Sequence, residues 1–348
     1  MDAIDPAKIT LASLGKLSED DARAMLERLR WPNGPVCPHC GVVGEATAME
    51  SAKGTKSKLR AGVWNCRACR KPFSVTVGTV FEGSHIPLAK WLLGFYLFAS
   101  AKKSISALQL QRQLGLGSYR SAWHMAHRIR HAMQNDPNPG MLSGIVEADE
   151  TYIGGKIRKG ALGKGESEHE RRSESVKAWK AKRVPVAVLV SRDGKARAKA
   201  MDKVTATNVR EFLKENVDHA NATLHTDESP IYRKHGRDFS GGHHAVNHAI
   251  GEYARGAVHS NTAESFNGLF KRSIQGSWHH ISEQHIGRYL DEQCFRWSNR
   301  GVNDGERAIL ALGRISGVRL YYRTPQGSEG QAGLVAGAGD QTSPQATA

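Results

Sequence analysis

Apolar residues change their rhythm along this chain, and each change marks a set of elements. Between residues 85 and 130 the rhythm is helical. His85-Ile-Pro-Leu-Ala-Lys-Trp91 through Phe98 is an almost unbroken apolar run with Pro87 in its first turn, which predicts a buried helix. Ser104 to Leu114 and Ser118 to Arg130 repeat apolar positions at helical spacing, each behind a serine, with Gly115-Leu-Gly117 between them. That is the pattern of a helix-turn-helix, or of an ordinary helical hairpin that supports a neighbouring domain. From residue 142 the rhythm shortens to strand length. Gly144-Ile-Val-Glu-Ala-Asp149-Glu-Thr-Tyr-Ile153, Val184-Pro-Val-Ala-Val-Leu-Val-Ser191, Ala196 to Met201 and Ala222-Thr-Leu-His-Thr-Asp227 read as strands, the second and third joined by the tight turn Arg192-Asp-Gly-Lys195. Thr205 to Asn216 reads as a helix leading into the last of them, Glu264 stands near the start of another, and Ile281 to Arg300 reads as a closing amphipathic helix. Strand, strand, strand, helix, strand predicts a mixed sheet flanked by helices, an α+β or α/β arrangement.

The remaining stretches have little apolar content. Residues 156–183 are rich in Lys, Arg, Glu, Gly and Ser and read as a mobile basic insertion; from Thr324 to the end, Gly, Ala, Gln, Ser and Thr dominate and predict a disordered tail over 324–348. The expected division is a helical segment over 1–30, a small metal-bound unit over 31–78, the helix-turn-helix region over 84–135 and the sheet domain over 142–300.

Four of the five cysteines fall as Cys37-Pro-His-Cys40 and Cys66-Arg-Ala-Cys69. Two such knuckles offer four thiolates to a tetrahedral Zn²⁺, which replaces the core that so short a segment cannot build. Disulfides are disfavoured in a reducing compartment, and a redox motif would not be duplicated. Between the knuckles Lys53, Lys56, Lys58 and Arg60 occur with no acidic residue from Ser51 to Cys66, which suits either a DNA backbone or a solvated loop. Cys294, beside Phe295, reads as an apolar filler.

Charge narrows the partner. With 49 Lys plus Arg against 34 Asp plus Glu, the formal charge is +15 and the isoelectric point about 9.7, the balance of a protein that meets a polyanion. The most apolar run, Ile86 to Ala101, is interrupted by Lys90 and falls short of the roughly 18 residues a membrane helix requires. No basic start followed by an apolar core marks a secretory leader, so the expected location is the cytosol.

Three acids then stand out by setting. Asp149 and Asp227 each close an apolar strand, and Glu264 lies in His259-Ser-Asn261-Thr-Ala-Glu264-Ser-Phe-Asn267-Gly-Leu-Phe-Lys271-Arg272, two helical turns before Lys271. Carboxylates at strand ends converge on one sheet edge, and a helical Glu alongside completes an oxygen site suited to Mg²⁺ or Mn²⁺. Two such ions serve phosphodiester cleavage without a covalent nucleophile. Most Asp and Glu are only solvated surface charges, which is the competing account of any one of the three.

The strings Glu147-Ala-Asp149-Glu-Thr-Tyr-Ile-Gly-Gly-Lys156, His225-Thr-Asp227-Glu and His259 through Lys271-Arg272 resemble those of DDE transposases from bacterial insertion sequences, closest to the ISXO-like transposases of the insertion-sequence-1595 group, over residues 30 to 300. The resemblance implies an RNase H-like catalytic domain. It also implies metal-dependent cleavage at transposon ends and strand transfer into target DNA, with Asp149, Asp227 and Glu264 as catalytic metal ligands and a multimer on the paired ends. Some members place Asn where Glu is expected, so Asn261 competes with Glu264 for the third position; a charged carboxylate suits a hard cation better, and Asn261 is then a helix cap. The other expected DNA contacts are Tyr119, Arg120, His124 and Arg128 on the second helix of the pair, and Lys271 and Arg272 after the Glu. His225 and His259 are expected either to help position phosphates or metal, or to be packed structural residues. His243, His244 and His248 lack metal spacing and read as backbone contacts or plain loop. An RNase H-like nuclease or junction resolvase shares the acids, and a non-catalytic zinc-ribbon DNA-binding regulator shares the rest.

Overall fold

The computed structural model describes residues 4–49, 61–134, 136, 138–154, 183–227, 229–233, 235–246 and 254–321. Lys53, Lys56, Lys58 and Arg60, the 156–183 insertion apart from Arg183, His248 and the tail from 324 lie outside the described residues.

A short antiparallel sheet carries the cysteines. Strands β1 (Ala46–Ala48), β2 (Val63–Cys66) and β3 (Pro72–Ser74) lie in that order, with Trp64 opposite Phe73. Helix α1 (Glu19–Arg30) precedes them and starts in a capping box, Ser18 and Asp21 each taking the other's backbone N–H. Trp31, just beyond α1, meets both sheet aromatics edge-on, at 6.4 Å from Trp64 and 5.7 Å from Phe73.

Three helices follow: α2 (Leu88–Ser100), α3 (Ala107–Leu114) and α4 (Tyr119–Gln134). Pro87 has no capping side chain, and the Glu19 carboxylate of α1 accepts the first N–H groups of α2, from Leu88 at 2.8 Å and Ala89 at 3.2 Å. Gly115, at φ 56°, ends α3 in the left-handed conformation. Leu26, Trp31, Cys66, Phe73, Phe81, Trp91, Phe95 and Met125 belong to one buried cluster with the ribbon.

The same cluster takes in residues from the far end of the chain. Helix α8 (Asp304–Leu312) is capped by Asn303 and sends Leu312 into this core, as Ile315 follows it. Ile315 O accepts from Val80 N at 3.2 Å, Arg30 Nε donates to Ser316 Oγ at 3.1 Å, and Arg314 Nη1 donates to Met133 O at 3.0 Å. The sequence reading stopped at Arg300 and missed this return.

The larger sheet comprises β4 (Leu142–Ile153), β5 (Val184–Ser191), β6 (Ala196–Ala200), β7 (Val217–Asp227) and β8 (His243–Val246), in the order β6-β5-β4-β7-β8. The first three are antiparallel and β4, β7 and β8 are parallel. Strand residues alternate between two buried faces. Ala148, Leu189 and Leu224 pack with Phe212 and Leu213 of helix α5 (Ala206–Asn216); Val186, Val188 and Val190 pack with Phe266 and Phe270 of helix α6 (Asn261–Ser273) and Leu290 of helix α7 (Ile286–Ser298). This is a mixed α+β sheet flanked by helices, with the succession of strand, strand, strand, helix, strand that the sequence predicts.

Three expectations change. His243 and His244 form an edge strand rather than a loop, because Gly241 and Gly242 turn the chain back against β7 and His244 pairs with His225. The closing helix starts at Ile286, five residues later than expected, since Glu283–His285 winds as a 3-10 turn. The basic helix α4 is mostly interior. Arg130 donates to Glu292 of α7 at 2.8 Å with both side chains buried, and its guanidinium lies 4.0 Å from the Tyr289 ring centre. Helix α4 therefore joins the ribbon core to the large sheet's helices through this buried face.

Candidate active site and zinc centre

The four ribbon cysteines already stand as a ligand set. Their Sγ atoms all lie within 4.8 Å of one another, with Cys37 and Cys69 at 3.7 Å and Cys40 and Cys66 at 3.6 Å. Thiolates at about 2.3 Å from a tetrahedral zinc stand about 3.8 Å apart, so the set fits Zn²⁺. Burial raises the Cys37 thiol, but backbone N–H groups of His39 and Cys40 and the neighbouring thiols outweigh it and hold it near 6. Cys40 is pushed up to about 12: a backbone N–H from Val42 favours its thiolate, but burial and three neighbouring thiols prevail. Four thiolates need a cation to coexist, which is what a structural zinc supplies.

The acids lie on the face of the large sheet covered by α6. Val146 and Ala148 point to the opposite face, so Glu147 and Asp149 share this one. The parallel register sets Glu147 beside His225, and Asp227 lies two residues beyond His225 on the same face. Strand alternation and register therefore set Asp149 and Asp227 on adjacent strands, and Glu264 enters from the first turn of α6; Asp227 ends β7, but Asp149 does not close its strand as expected, because β4 continues along β5 to Ile153.

Each acid has its own support. Asn267 Nδ2 donates to Asp149 Oδ2 at 2.7 Å, and the Glu150 backbone N–H to Oδ1 at 2.8 Å. Ser229 N–H holds Asp227 Oδ1 at 3.1 Å. Glu264 is exposed, with Ser260 Oγ 3.5 Å from its Oε1. Burial pushes Asp149 up to about 6 despite the Asn267 hydrogen bond, and the charges of Asp227 and Glu264 push the same way. Asp149 thus feels the charge of both other carboxylates. Tyr232 is buried beside them, its hydroxyl meeting Glu150.

Glu147 is the polar residue that the sequence reading passed over. Its side chain is fully buried, and the Thr262 N–H (2.7 Å) and Ala263 N–H (3.1 Å) of α6 donate to its Oε2. Thr262 Oγ1 donates to Oε1 at 3.0 Å and Arg192 Nε at 2.8 Å, with His259 Nδ1 at 3.3 Å. Arg192 Nη2 reaches the His259 ring and lies 3.4 Å from His225 Nδ1. Burial first, then the Arg192 charge, lowers His225 to about 4. His225 is buried and His259 lines the group at its edge, so both are packed around Glu147. The signal for Glu147 was its parity: it shares the Asp149 face of a strand whose other face is apolar at Val146 and Ala148.

The remaining expected residues separate. Asn261 is exposed at the first position of α6, after Ser260, and does not cap the helix, whose first donors are taken by Glu147. Lys271 and Arg272 are exposed at the last turn of α6. Tyr119 and Arg120 are exposed at the start of α4, while His124 is half-buried and burial, then the Arg128 charge, lowers its pKa. Arg128 is not free to meet DNA: it is buried, donates to Glu82 O and lies 5.4 Å from the Trp91 ring centre.

A four-cysteine cluster thus precedes a mixed sheet that carries Asp149 and Asp227 on adjacent parallel strands. Residues 141–298 match the ISXO2-like transposase domain and residues 17–72 the transposase zinc-ribbon domain. A protein of transposable element ISH50 from Halobacterium salinarum, itself described as uncharacterized, is 29% identical over 268 residues, covering 74% of this chain and 83% of the relative. Among solved structures, the simian T-cell lymphotropic virus intasome in complex with the PP2A regulatory subunit B56 gamma aligns at 13% identity and a TM-score of 0.26, over 53% of this chain and 63% of that one.

Proposed function

We propose that the chain is a metal-dependent DNA transposase that cuts the phosphodiester at the ends of its element and directs the freed 3′-hydroxyl against target DNA. The observation that carries this reading is the convergence of Asp149 and Asp227 on adjacent parallel strands beneath the helix that bears Glu264. Carboxylate oxygens are the donor set of Mg²⁺ or Mn²⁺, and Asp149, Asp227 and Glu264 are the residues that would hold it. When bound, such an ion polarises the phosphate and activates the attacking water or 3′-hydroxyl.

The chain's own residues supply position. Asn267 and the Glu150 N–H fix the two oxygens of Asp149, and the Ser229 N–H fixes Asp227. The exposure of Glu264 leaves room for a DNA strand to approach. Lys271 and Arg272 on α6, with Tyr119 and Arg120 on α4, are the described members of the basic and aromatic set that would hold phosphates. The ribbon and the α3–α4 pair would recognise the terminal repeats, and joining two ends calls for more than one copy on the DNA.

The test is Mn²⁺- or Mg²⁺-dependent cutting and joining of DNA that carries the element's own ends, wild type against Asp227→Ala. Joined products lost in the variant support the reading. Cutting without joining favours a nuclease or resolvase, and DNA binding without either, unaffected by the substitution, favours a non-catalytic regulator.

A further inference from the structure

Helix α6 has no capping side chain of its own. Ser260 makes no capping hydrogen bond, and Asn261 is already inside the helix. Two of the N–H groups that a helix start leaves over, those of Thr262 and Ala263, end instead on Oε2 of Glu147. The capping group therefore belongs to a strand more than a hundred residues earlier in the chain, two residues before Asp149.

Further along α6, Asn267 bonds to Asp149. The helix is thus pinned at two places to the same face of one strand. Five residues of helix rise about 7.5 Å, and two residues of strand advance about 6.6 Å, so the Thr262-to-Asn267 interval matches the Glu147-to-Asp149 interval. Glu264 lies between the two pins. Its height along β4, and so its position against Asp149 and Asp227, is set by them.

We infer that Glu147 is a positioning residue of the active site, whose buried carboxylate caps α6 and fixes where Glu264 meets the two aspartates. The inference rests on the reading of those three acids as the divalent-metal site. Glu147 touches no reacting atom. Both oxygens are occupied by donors: Oε2 takes two backbone N–H groups, and Oε1 takes Thr262 Oγ1 and Arg192 Nε. A glutamine has the same shape but one amide nitrogen, and in either orientation that NH₂ faces donors. Arg192 holds the carboxylate from the β5–β6 turn, with the His259 ring against its guanidinium.

The experiment is Mn²⁺ binding, followed by electron paramagnetic resonance on the zinc-loaded full chain, for wild type, Glu147→Gln, Glu264→Gln and the double variant. Folding is checked by zinc content and circular dichroism. Glu147→Gln is expected to weaken Mn²⁺ binding about tenfold, and to add nothing once Glu264 is replaced, because the two act along one path. Wild-type affinity in Glu147→Gln overturns the inference. So does a loss that recurs undiminished in the Glu264→Gln background, which marks Glu147 as general scaffolding. Mn²⁺ binding that Asp227→Ala leaves unchanged in the otherwise wild-type chain overturns the metal-site reading itself, a different result from either. If Glu147→Gln does not fold, Thr262→Val removes only the hydroxyl bond to Oε1; about a threefold weakening supports the cap, and unchanged binding overturns it.

Discussion

The cysteine cluster and the acidic cluster solve opposite problems with similar means. In the ribbon, two tight knuckles bring four sulfurs within 4.8 Å, and two of those cysteines, Cys37 and Cys66, are buried in the N-terminal core. Among the described residues the acids form no cluster that tight; each is tied to its own partner, and Glu264 is exposed. The ribbon surrounds its ion, so the metal belongs to the fold. The acidic face leaves one side open, so a metal held there, as we propose, would belong to the reaction. A closed set built by local hairpins and an open set built by register and a distant cap should respond differently to damage.

The largest difference is expected on losing a sulfur. Cys66→Ser should release the zinc and unfold the ribbon, costing several kcal/mol, since structural zinc binding of about 10–16 kcal/mol is folding energy. Hydrogen exchange should then show the 17–72 region and the Trp91 face of α2 losing protection while β4 and β5 keep theirs. Equal loss in β4 would erase the contrast. Asp227→Ala comes next. It should lower cutting by about 10³-fold, equivalent to about 4 kcal/mol of transition-state stabilisation, with no fall in melting temperature. A destabilised variant would mean that the aspartate is part of the scaffold after all.

A smaller effect has the opposite sign. With its folded pKa near 6 and an ordinary unfolded value, Asp149 favours the folded state when protonated. That contribution is complete below about pH 4 and is lost as pH rises through 6. Without divalent metal, Asp149→Asn should therefore stabilise the protein by about 1–3 kcal/mol at pH 7, and the advantage should shrink towards pH 4. Denaturant titrations at the two pH values measure it, and a destabilised Asn variant at pH 7 would contradict the crowding of charge. The smallest effect concerns DNA: Lys271→Ala should flatten the salt dependence of binding by about one unit of log–log slope and leave zinc content unchanged. An unaltered slope would remove Lys271 from the interface.

Much of this was legible because it is local. The knuckle spacing announced the sulfur set, and the apolar runs before Asp149 and Asp227 announced strands that the structure pairs. The glycine after Leu114 marked a helix end that has the expected left-handed backbone. What stayed hidden depends on partners far along the chain. The basic positions of α4 looked like a DNA-facing stripe, yet Arg128 and Arg130 are buried and bond to Glu82 O and to Glu292, which no local pattern reveals. Glu147 looked like one more strand carboxylate, and its role depends on a helix start at Thr262. Strand β8 is short and begins with two histidines in place of an apolar run, and its pairing follows from the glycine turn before it.

The return of residues 304–316 to the ribbon core has a consequence for synthesis. During translation the ribbon and α1–α4 leave the ribosome long before Leu312 and Ile315 exist, so their shared core lacks those side chains until the large sheet has been made. Two-sided closure gives the N-terminal unit a late, long-range step and a high sequence separation between its contacts. A nascent chain interrupted after Ser298 would carry every acid of the catalytic face on an unfinished foundation, with Val80, Arg30 and Met133 deprived of the residues that meet them in the finished protein. Arrest at that length, followed by limited proteolysis, would reveal an N-terminal unit that becomes protease-resistant only when its last helix emerges.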